Sequence, residues 1–397
     1  MVYFCNLIFI RLLSLKRFLF IIFALQINLC LSQTFFNQNL LYDNIERDYV
    51  IYIPSSYDGI TAVPLIFSFH GGGGNIQENI LINDLSELAE SENFIAVYPQ
   101  ALPDPNDDGG NLWIHKEPTE VDDVFFIEAL IDSIVDNYQI DESRIYACGY
   151  SHGGGFALSL ACRLNEKIAA IGVVARTTLT SIHNICNPVH PTGIITILGT
   201  DDPISLYEGL TVFGVEYWVS AQEMHSFWAN YNNCELEASV LDVPDTDPFD
   251  GSIVERHSWS TSEGCKYVEE LKVIGGGHDW PGSFGNMDIN ATQEIWNFVS
   301  NYSLNGNSNC NSLGININTE INKFYPNPSS NIFYIELKDL DSIECISVID
   351  PTGKIVLNKI SINDYKTQLD ISTLKAGFYM ISIVTPTKTF IRRLIKK

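Results

Sequence analysis

The sequence predicts an α/β fold, a mostly parallel sheet with helices on both faces, followed by a small all-β sandwich. Three observations lead there. Between residues 46 and 302, short apolar runs of strand type alternate with segments of helical period, the order expected of a parallel sheet covered on both sides. From residue 332 onward only alternating runs occur, separated by turn residues, which suits an antiparallel sandwich. The charge balance also changes: residues 33–322 hold 9 Lys and Arg against 41 Asp and Glu, whereas 323–397 hold 11 against 7. Opposite charge signs argue for separate modules, and 397 residues are enough for one large domain and one small one.

Residues 1–32 stand apart. Arg11, Lys16 and Arg17 precede an apolar stretch over 18–31, and the small residue Ser32 stands before Gln33. This reads as a secretory signal peptide, because the apolar core is short for a membrane span and a globular sequence follows directly. A lipid-anchored Cys30 is the alternative, but bulky Leu29 stands where such a site takes a small residue.

The main domain, 33–302, carries predicted strands at 48–53, 63–69, 94–98, 144–148, 169–175, 194–198, 253–259 and 268–274. Helices are expected at 80–90, 155–164, 222–231 and 292–302, and at 122–138 with Phe126, Leu130, Ile134 and Tyr138 on one stripe. Residues 303–322 are polar, turn-rich and without period, and read as a linker. In the tail, 323–397, strands are expected at 332–337, 345–350, 354–357, 368–371, 378–384 and 389–395, with Pro351-Thr352-Gly353 as a hairpin turn.

So acidic a body repels nucleic acid and other polyanions, which points to a neutral or small substrate. Beyond the first 32 residues no segment is long and apolar enough to cross a membrane. Seven cysteines follow residue 32, an odd count that leaves at least one unpaired. Cys148 lies inside a strand and reads as a small apolar filler. None of the spacings is C-x-x-C, which speaks against a zinc site; neither a metal nor a cofactor is implied.

The chemistry is concentrated in four loops. Gly149-Tyr150-Ser151-His152-Gly153 is a Gly-x-Ser-x-Gly turn between a predicted strand and a predicted helix. Such an elbow lifts a serine above the sheet on strained backbone, and the flanking glycines leave room for neighbouring chain. A serine hydroxyl becomes a good nucleophile only when a histidine takes its proton and a carboxylate fixes that histidine's tautomer. In an α/β-hydrolase these follow in the order Ser, acid, His, each after a strand. Gly199-Thr200-Asp201-Asp202-Pro203 follows one strand and Gly275-Gly276-Gly277-His278-Asp279-Trp280 another. Asp202 is the expected acid, with neighbouring Asp201 as competitor, and His278 the expected base. Acyl transfer also needs donors aimed at the developing oxyanion. The N–H of His152 is one, and the loop His70-Gly71-Gly72-Gly73-Gly74 supplies another, best assigned to Gly72. Trp280, and Trp113 from the loop after Pro99, are expected to wall the acyl site, with burial in the core as the alternative for either.

These stretches, with Val121-Asp122-Asp123, Arg144-Ile145-Tyr146, Trp228 and Asn233-Cys234, make the region resemble the secreted esterase family that includes polyhydroxybutyrate depolymerases, feruloyl esterases and acetylxylan esterases. The resemblance implies a Ser151, Asp202, His278 triad, an oxyanion hole at Gly72 and His152, and disulfides Cys162–Cys186 and Cys234–Cys265. Departures fall at the pocket rim: the family often has cysteine at Gly72 and histidine at Leu198, and its Val-Pro-Tyr is here Ser205-Leu206-Tyr207. The tail resembles the C-terminal sorting domain of type IX secretion substrates of Bacteroidetes, through Tyr325-Pro326-Asn327-Pro328, Asp350 with Gly353-Lys354, Leu369-Asp370-Ile371, Gly377-Phe378-Tyr379 and the basic end. The expected protein is an exported serine esterase, recognised by type IX machinery, acting on polymer-borne feruloyl or acetyl esters of plant polysaccharides. The alternatives are a polyester depolymerase and a non-catalytic surface binding protein on the same fold.

Overall fold

The computed structural model describes residues 35–104, 110–114, 122–308, 310, 323–325, 329–337, 342–350, 354–360, 364–386 and 389–397. The signal segment, most of the expected linker, Val121, Pro326-Asn327-Pro328 and the Pro351-Thr352-Gly353 turn lie outside the described residues. The chain divides into two units between Ser312 and Leu313.

The first unit is built on strands β1 (Phe35–Tyr42), β2 (Ile45–Tyr52), β3 (Val63–Phe69), β4 (Ile95–Pro99), β5 (Ile140–Tyr150), β6 (Ala170–Val174), β7 (Gly193–Gly199), β8 (Leu210–Val212), β9 (Val215–Trp218), β10 (Ser239–Asp242), β11 (Ile253–Ser260) and β12 (Lys266–Ile274). Its helices are α1 (Ile76–Ile82), α2 (Ser86–Glu92), α3 (Asp123–Asn137), α4 (His152–Arg163), α5 (Thr180–His183), α6 (Ala221–Tyr231) and α7 (Ala291–Val299). Ten strands form one sheet in the order β1-β2-β4-β3-β5-β6-β7-β12-β11-β10, and β8 pairs with β9 in a separate hairpin. The six central strands, from β4 to β12, are parallel, and antiparallel pairs close both edges.

Strands β3, β4, β6 and β7 are buried along their whole length, which is why they read as unbroken apolar runs. Side chains alternate between two cores. Phe67, Ala147, Ile171 and Ile194 meet α3, α4 and α6 on one face. Ile66, Tyr146, Ala170 and Ile195 meet α1, α2 and α7 on the other. Each large apolar side chain so buried is worth about 1.5–3 kcal/mol.

Three local features depart from the sequence reading. The helix expected at 80–90 is two short helices broken at Asn83, whose buried side chain bonds Ser68 Oγ at 2.8 Å and accepts from Thr292 Oγ1 at 2.7 Å. Tying down that amide outweighs continuing the helix, because a buried, unpaired amide is costly. Residues 302–308, read as the end of a helix and the start of a linker, instead contain the hairpin Tyr302–Ser303 with Gly306–Asn307. The expected Cys234–Cys265 bridge is not formed: Cys265 pairs with Cys310, and Cys234 is a buried free thiol. The hairpin explains the exchange. Asn307 Nδ2 donates to Lys266 O at 3.0 Å, so the chain is laid beside Cys265 just before Cys310. Cys162–Cys186 is formed as expected, and Cys148 is a buried free thiol whose pKa burial pushes up to about 12.

In the second unit, two antiparallel sheets of three and four strands enclose an apolar core that includes Phe333, Ile346, Val348, Leu369, Ile381 and Leu394.

Candidate active site

Strand order reverses between β3 and β5, because β3 leads to β4 on one side and the chain crosses to β5 on the other. In open α/β sheets the crevice beyond the carboxyl ends of the strands at such a point is where ligands bind. Phe69 and Gly149 are register partners there, so the loop after β3 and the turn after β5 adjoin.

Ser151 sits at that turn with φ 52° and ψ −119°, strained for a residue with a side chain, and its N–H is held by Val174 O at 2.8 Å. Both flanking glycines are required sterically. A Cβ on Gly149 would lie 2.3 Å from the Gly153 carbonyl, and one on Gly153 would lie 2.2 Å from Phe69 O. Any other residue would push α4 off the sheet.

The loop after β12 turns at Gly275 (φ 78°) and brings His278 back over the elbow. His278 Nε2 lies 2.9 Å from Ser151 Oγ, and Nδ1 lies 2.7 Å from Asp202 Oδ2. A carboxylate only accepts, so Nδ1 carries the proton, and in the neutral ring Nε2 is left to accept from the serine hydroxyl. Asp202 is buried, and its other oxygen accepts from the Ile204 and Ser205 amides, each at 2.8 Å. Burial pushes the Asp202 carboxyl up, but the bonds from His278 and these two amides outweigh it and hold its pKa below the usual carboxylate range. Asp201 is exposed and bonds Thr200 instead.

Gly72 faces the start of α4: a Cβ there would lie 3.5 Å from His152 Cβ and 3.0 Å from Leu112 Cδ2. Its neighbours' amides are spent within the loop, Gly73 N–H on Asn111 O and Gly74 N–H on Gly71 O. The first turn of an α-helix directs its N–H groups out of the helix end, and the glycine loop lies beside that end of α4, a Cβ on Gly71 falling 3.6 Å from Ser151 Cβ. Such a relay can perform attack on a carbonyl carbon, and amides at a helix end can stabilise the oxyanion that results.

The two tryptophans are corrected by their burial. Trp113 is 2% exposed, stacks on Phe156, and donates from Nε1 to His70 O at 3.0 Å. Trp280 is 1% exposed and donates to Thr292 Oγ1 at 3.2 Å. Neither offers a face to a substrate. Both support the site from behind: the backbone N–H of Trp113 donates to His152 Nδ1 at 3.3 Å, and the Trp280 ring packs on Tyr150. Tyr150 was missed. Its hydroxyl donates to His278 O at 2.7 Å and so anchors the histidine loop. The middle position of a Gly-x-Ser-x-Gly turn gives no sequence signal of that role.

A mostly parallel sheet with this elbow and relay is the α/β-hydrolase architecture. The comparisons narrow it. Residues 47–211 match the family model of the esterase PHB depolymerases, and residues 323–397 match that of the secretion system C-terminal sorting domain. The first region is thus similar to that esterase family and the second to the sorting domain. It is 26% identical over 264 residues to a bifunctional acetylxylan esterase/xylanase of Neocallimastix patriciarum, covering 66% of this chain and 34% of that protein. It is 27% identical over 269 residues to feruloyl esterase B of Piromyces equi, covering 65% and 46%. To a probable feruloyl esterase C of Aspergillus niger it is 28% identical over 263 residues, covering 64% and 83%. The match thus spans less than half the length of the first two relatives.

Proposed function

We propose that this protein is an exported serine esterase that hydrolyses carboxylic esters through an acyl-enzyme. The contiguous Ser151, His278 and Asp202 contacts of 2.9 and 2.7 Å carry the reading. Ser151 Oγ attacks the ester carbonyl while His278 Nε2 takes its proton. Asp202 holds the ring in the tautomer that leaves Nε2 open and stabilises the imidazolium that forms. The Gly72 and His152 amides take the oxyanion. His278 then returns the proton to the leaving alcohol, and water attacks the acyl-enzyme by the same relay in reverse.

For substrate, the relatives favour feruloyl or acetyl esters on plant cell-wall polysaccharide. Three of them are named for these activities. With Trp113 and Trp280 buried, no aromatic wall supports that choice. A second reading, hydrolysis of a hydroxyalkanoate polyester, is favoured by the exposed apolar side chains Val212, Phe213, Val215 and Tyr217 on the β8–β9 hairpin. The sorting domain supports delivery to the cell surface or beyond, where insoluble polymers are met. Among the described residues no helix is long and apolar enough to cross a membrane.

The test is a hydrolysis panel of methyl ferulate, acetylated xylan and polyhydroxybutyrate film, run beside labelling of Ser151 by a fluorophosphonate. Labelling with turnover of the first two is expected. Release of hydroxybutyrate oligomers alone selects the polyester reading, and an unlabelled Ser151 overturns the mechanism.

A further inference from the structure

We propose that Arg176, Thr177 and Ser205, walled by Trp218, form a subsite for a free carboxylate carried by the ester substrate; this rests on the esterase reading and names its substrate class. Arg176 is 8% exposed. Four other arginines stand in the described first unit, and each meets a carboxylate: Arg47 with Asp123, Arg144 with Asp141, Arg163 with Asp122, and Arg256 with Glu269 and Glu294. No carboxylate lies within 4 Å of Arg176 among the described residues. Its Nε has no hydrogen-bond partner, and neither do the buried hydroxyls of Thr177 and Ser205. Three unsatisfied polar atoms thus lie in two loops, after β6 and after β7.

These loops flank the nucleophile. Ala175, at φ 54°, turns the chain out of β6 and sends the Arg176 side chain along the first turn of α4. A Cβ on Gly155 would lie 3.3 Å from Arg176 Cγ and 3.5 Å from its Nε. Ser205 is the residue whose amide holds Asp202. The guanidinium carbon lies 4.2 Å from the centre of the Trp218 ring, which covers one flat face of the group and meets none of its donors.

The chemistry of the group selects the ligand. A guanidinium has five donors and no acceptor, so only an acceptor can satisfy it. Burial lowers its pKa to about 10, opposed by the charge of Asp202, so it stays cationic at neutral pH. A buried cation lacking a contacting counter-ion is costly, and a carboxylate, which matches the fork of a guanidinium, removes that cost. The surrounding body is acidic, so selection of an anion here must come from these contacts and not from the general field.

Two matched ester pairs test this with the full-length protein. One places the carboxylate on the acyl side, mono-4-nitrophenyl glutarate against its methyl ester. The other places it on the alcohol side, acetylated glucuronic acid against its methyl ester. In one pair the carboxylate form should show kcat/KM at least about tenfold higher, the effect of one good charge-assisted contact, and Arg176→Gln should bring that ratio to about 1. Equal or lower values for the carboxylate form in both pairs overturn the subsite, whether or not Arg176→Gln folds, and so does a ratio unchanged in a folded Arg176→Gln. If the wild type cleaves no ester in either pair, the esterase reading falls instead. Calorimetric binding of glutarate, present in the wild type and lost in Arg176→Gln, would still identify the subsite.

Discussion

The two units of this chain spend their sequence differently. The first surrounds a parallel sheet with two apolar cores and keeps its polar chemistry in loops held against steric limits: Ser151 at φ 52°, and Gly149 and Gly153 with no room for a Cβ. The second encloses a single apolar core between short antiparallel strands. Chemistry here depends on a few positions fixed by neighbouring backbone, and all of them lie in the first unit. Point substitutions should therefore injure catalysis sharply in the first unit, and removal of the second should leave it untouched.

The sharpest break is at the relay. Ser151→Ala and His278→Ala are each expected to lower kcat about 10⁴-fold or more, with unfolding unchanged, and the double variant should be little worse than either. Asp202→Asn should lose about 10³-fold or more, and Asp201→Asn, whose side chain bonds only Thr200, should stay within about threefold. A worse Asp201→Asn would move the acid by one residue. Next come the supports. Trp113→Ala and Trp280→Ala, both core deletions, should each cost about 3–5 kcal/mol in denaturant unfolding. If either instead left stability intact and raised KM for aromatic esters, that ring would be a substrate wall after all.

The covalent links give an effect of similar size. Cys265→Ser should cost about 4 kcal/mol in the chain-entropy account, for a separation of 45 residues. Non-reducing peptide mapping should recover Cys265 joined to Cys310, with Cys234 alkylated. A pH effect is smaller. The Asp202 pKa is lowered by folding, so its ionised form stabilises the native state above the unfolded carboxyl pKa of about 4. That contribution fades as pH falls through the lower folded value, so the stability gap between wild type and Asp202→Asn should be constant at neutral pH and shrink only on acid titration. The least effect is expected from truncation before residue 323: kcat/KM within about twofold of the full chain, with export lost.

Much of this was legible in the sequence, for physical reasons. Parallel strands buried on both faces leave unbroken apolar runs, and α/β topology puts working residues in the loops after them. Ser151, Asp202 and His278 could therefore be named from local context, and His278 comes within hydrogen-bond distance of the other two. What failed was position in the third dimension. A tryptophan beside a glycine-rich loop looks the same in sequence whether it lines a cleft or backs it. Strand β1, Phe-Phe-Asn-Gln-Asn-Leu-Leu-Tyr, is a mostly exposed edge with no clean alternation. Cys310 sits among asparagines and serines that read as linker, and only the short hairpin before it shows that it folds back. Arg176 was passed over because the lack of a partner is a property of surroundings.

The Cys265–Cys310 bridge has a mechanical consequence. It closes a covalent ring that contains β12, His278 and α7. Tension applied to the chain beyond residue 310 is passed at the bridge to Cys265 in the β11–β12 turn. The closing helix and the histidine loop lie inside the ring and carry none of that load along the backbone. The bridge works as a strain relief, and a reduced enzyme pulled by its tail would start to unravel from α7 toward His278.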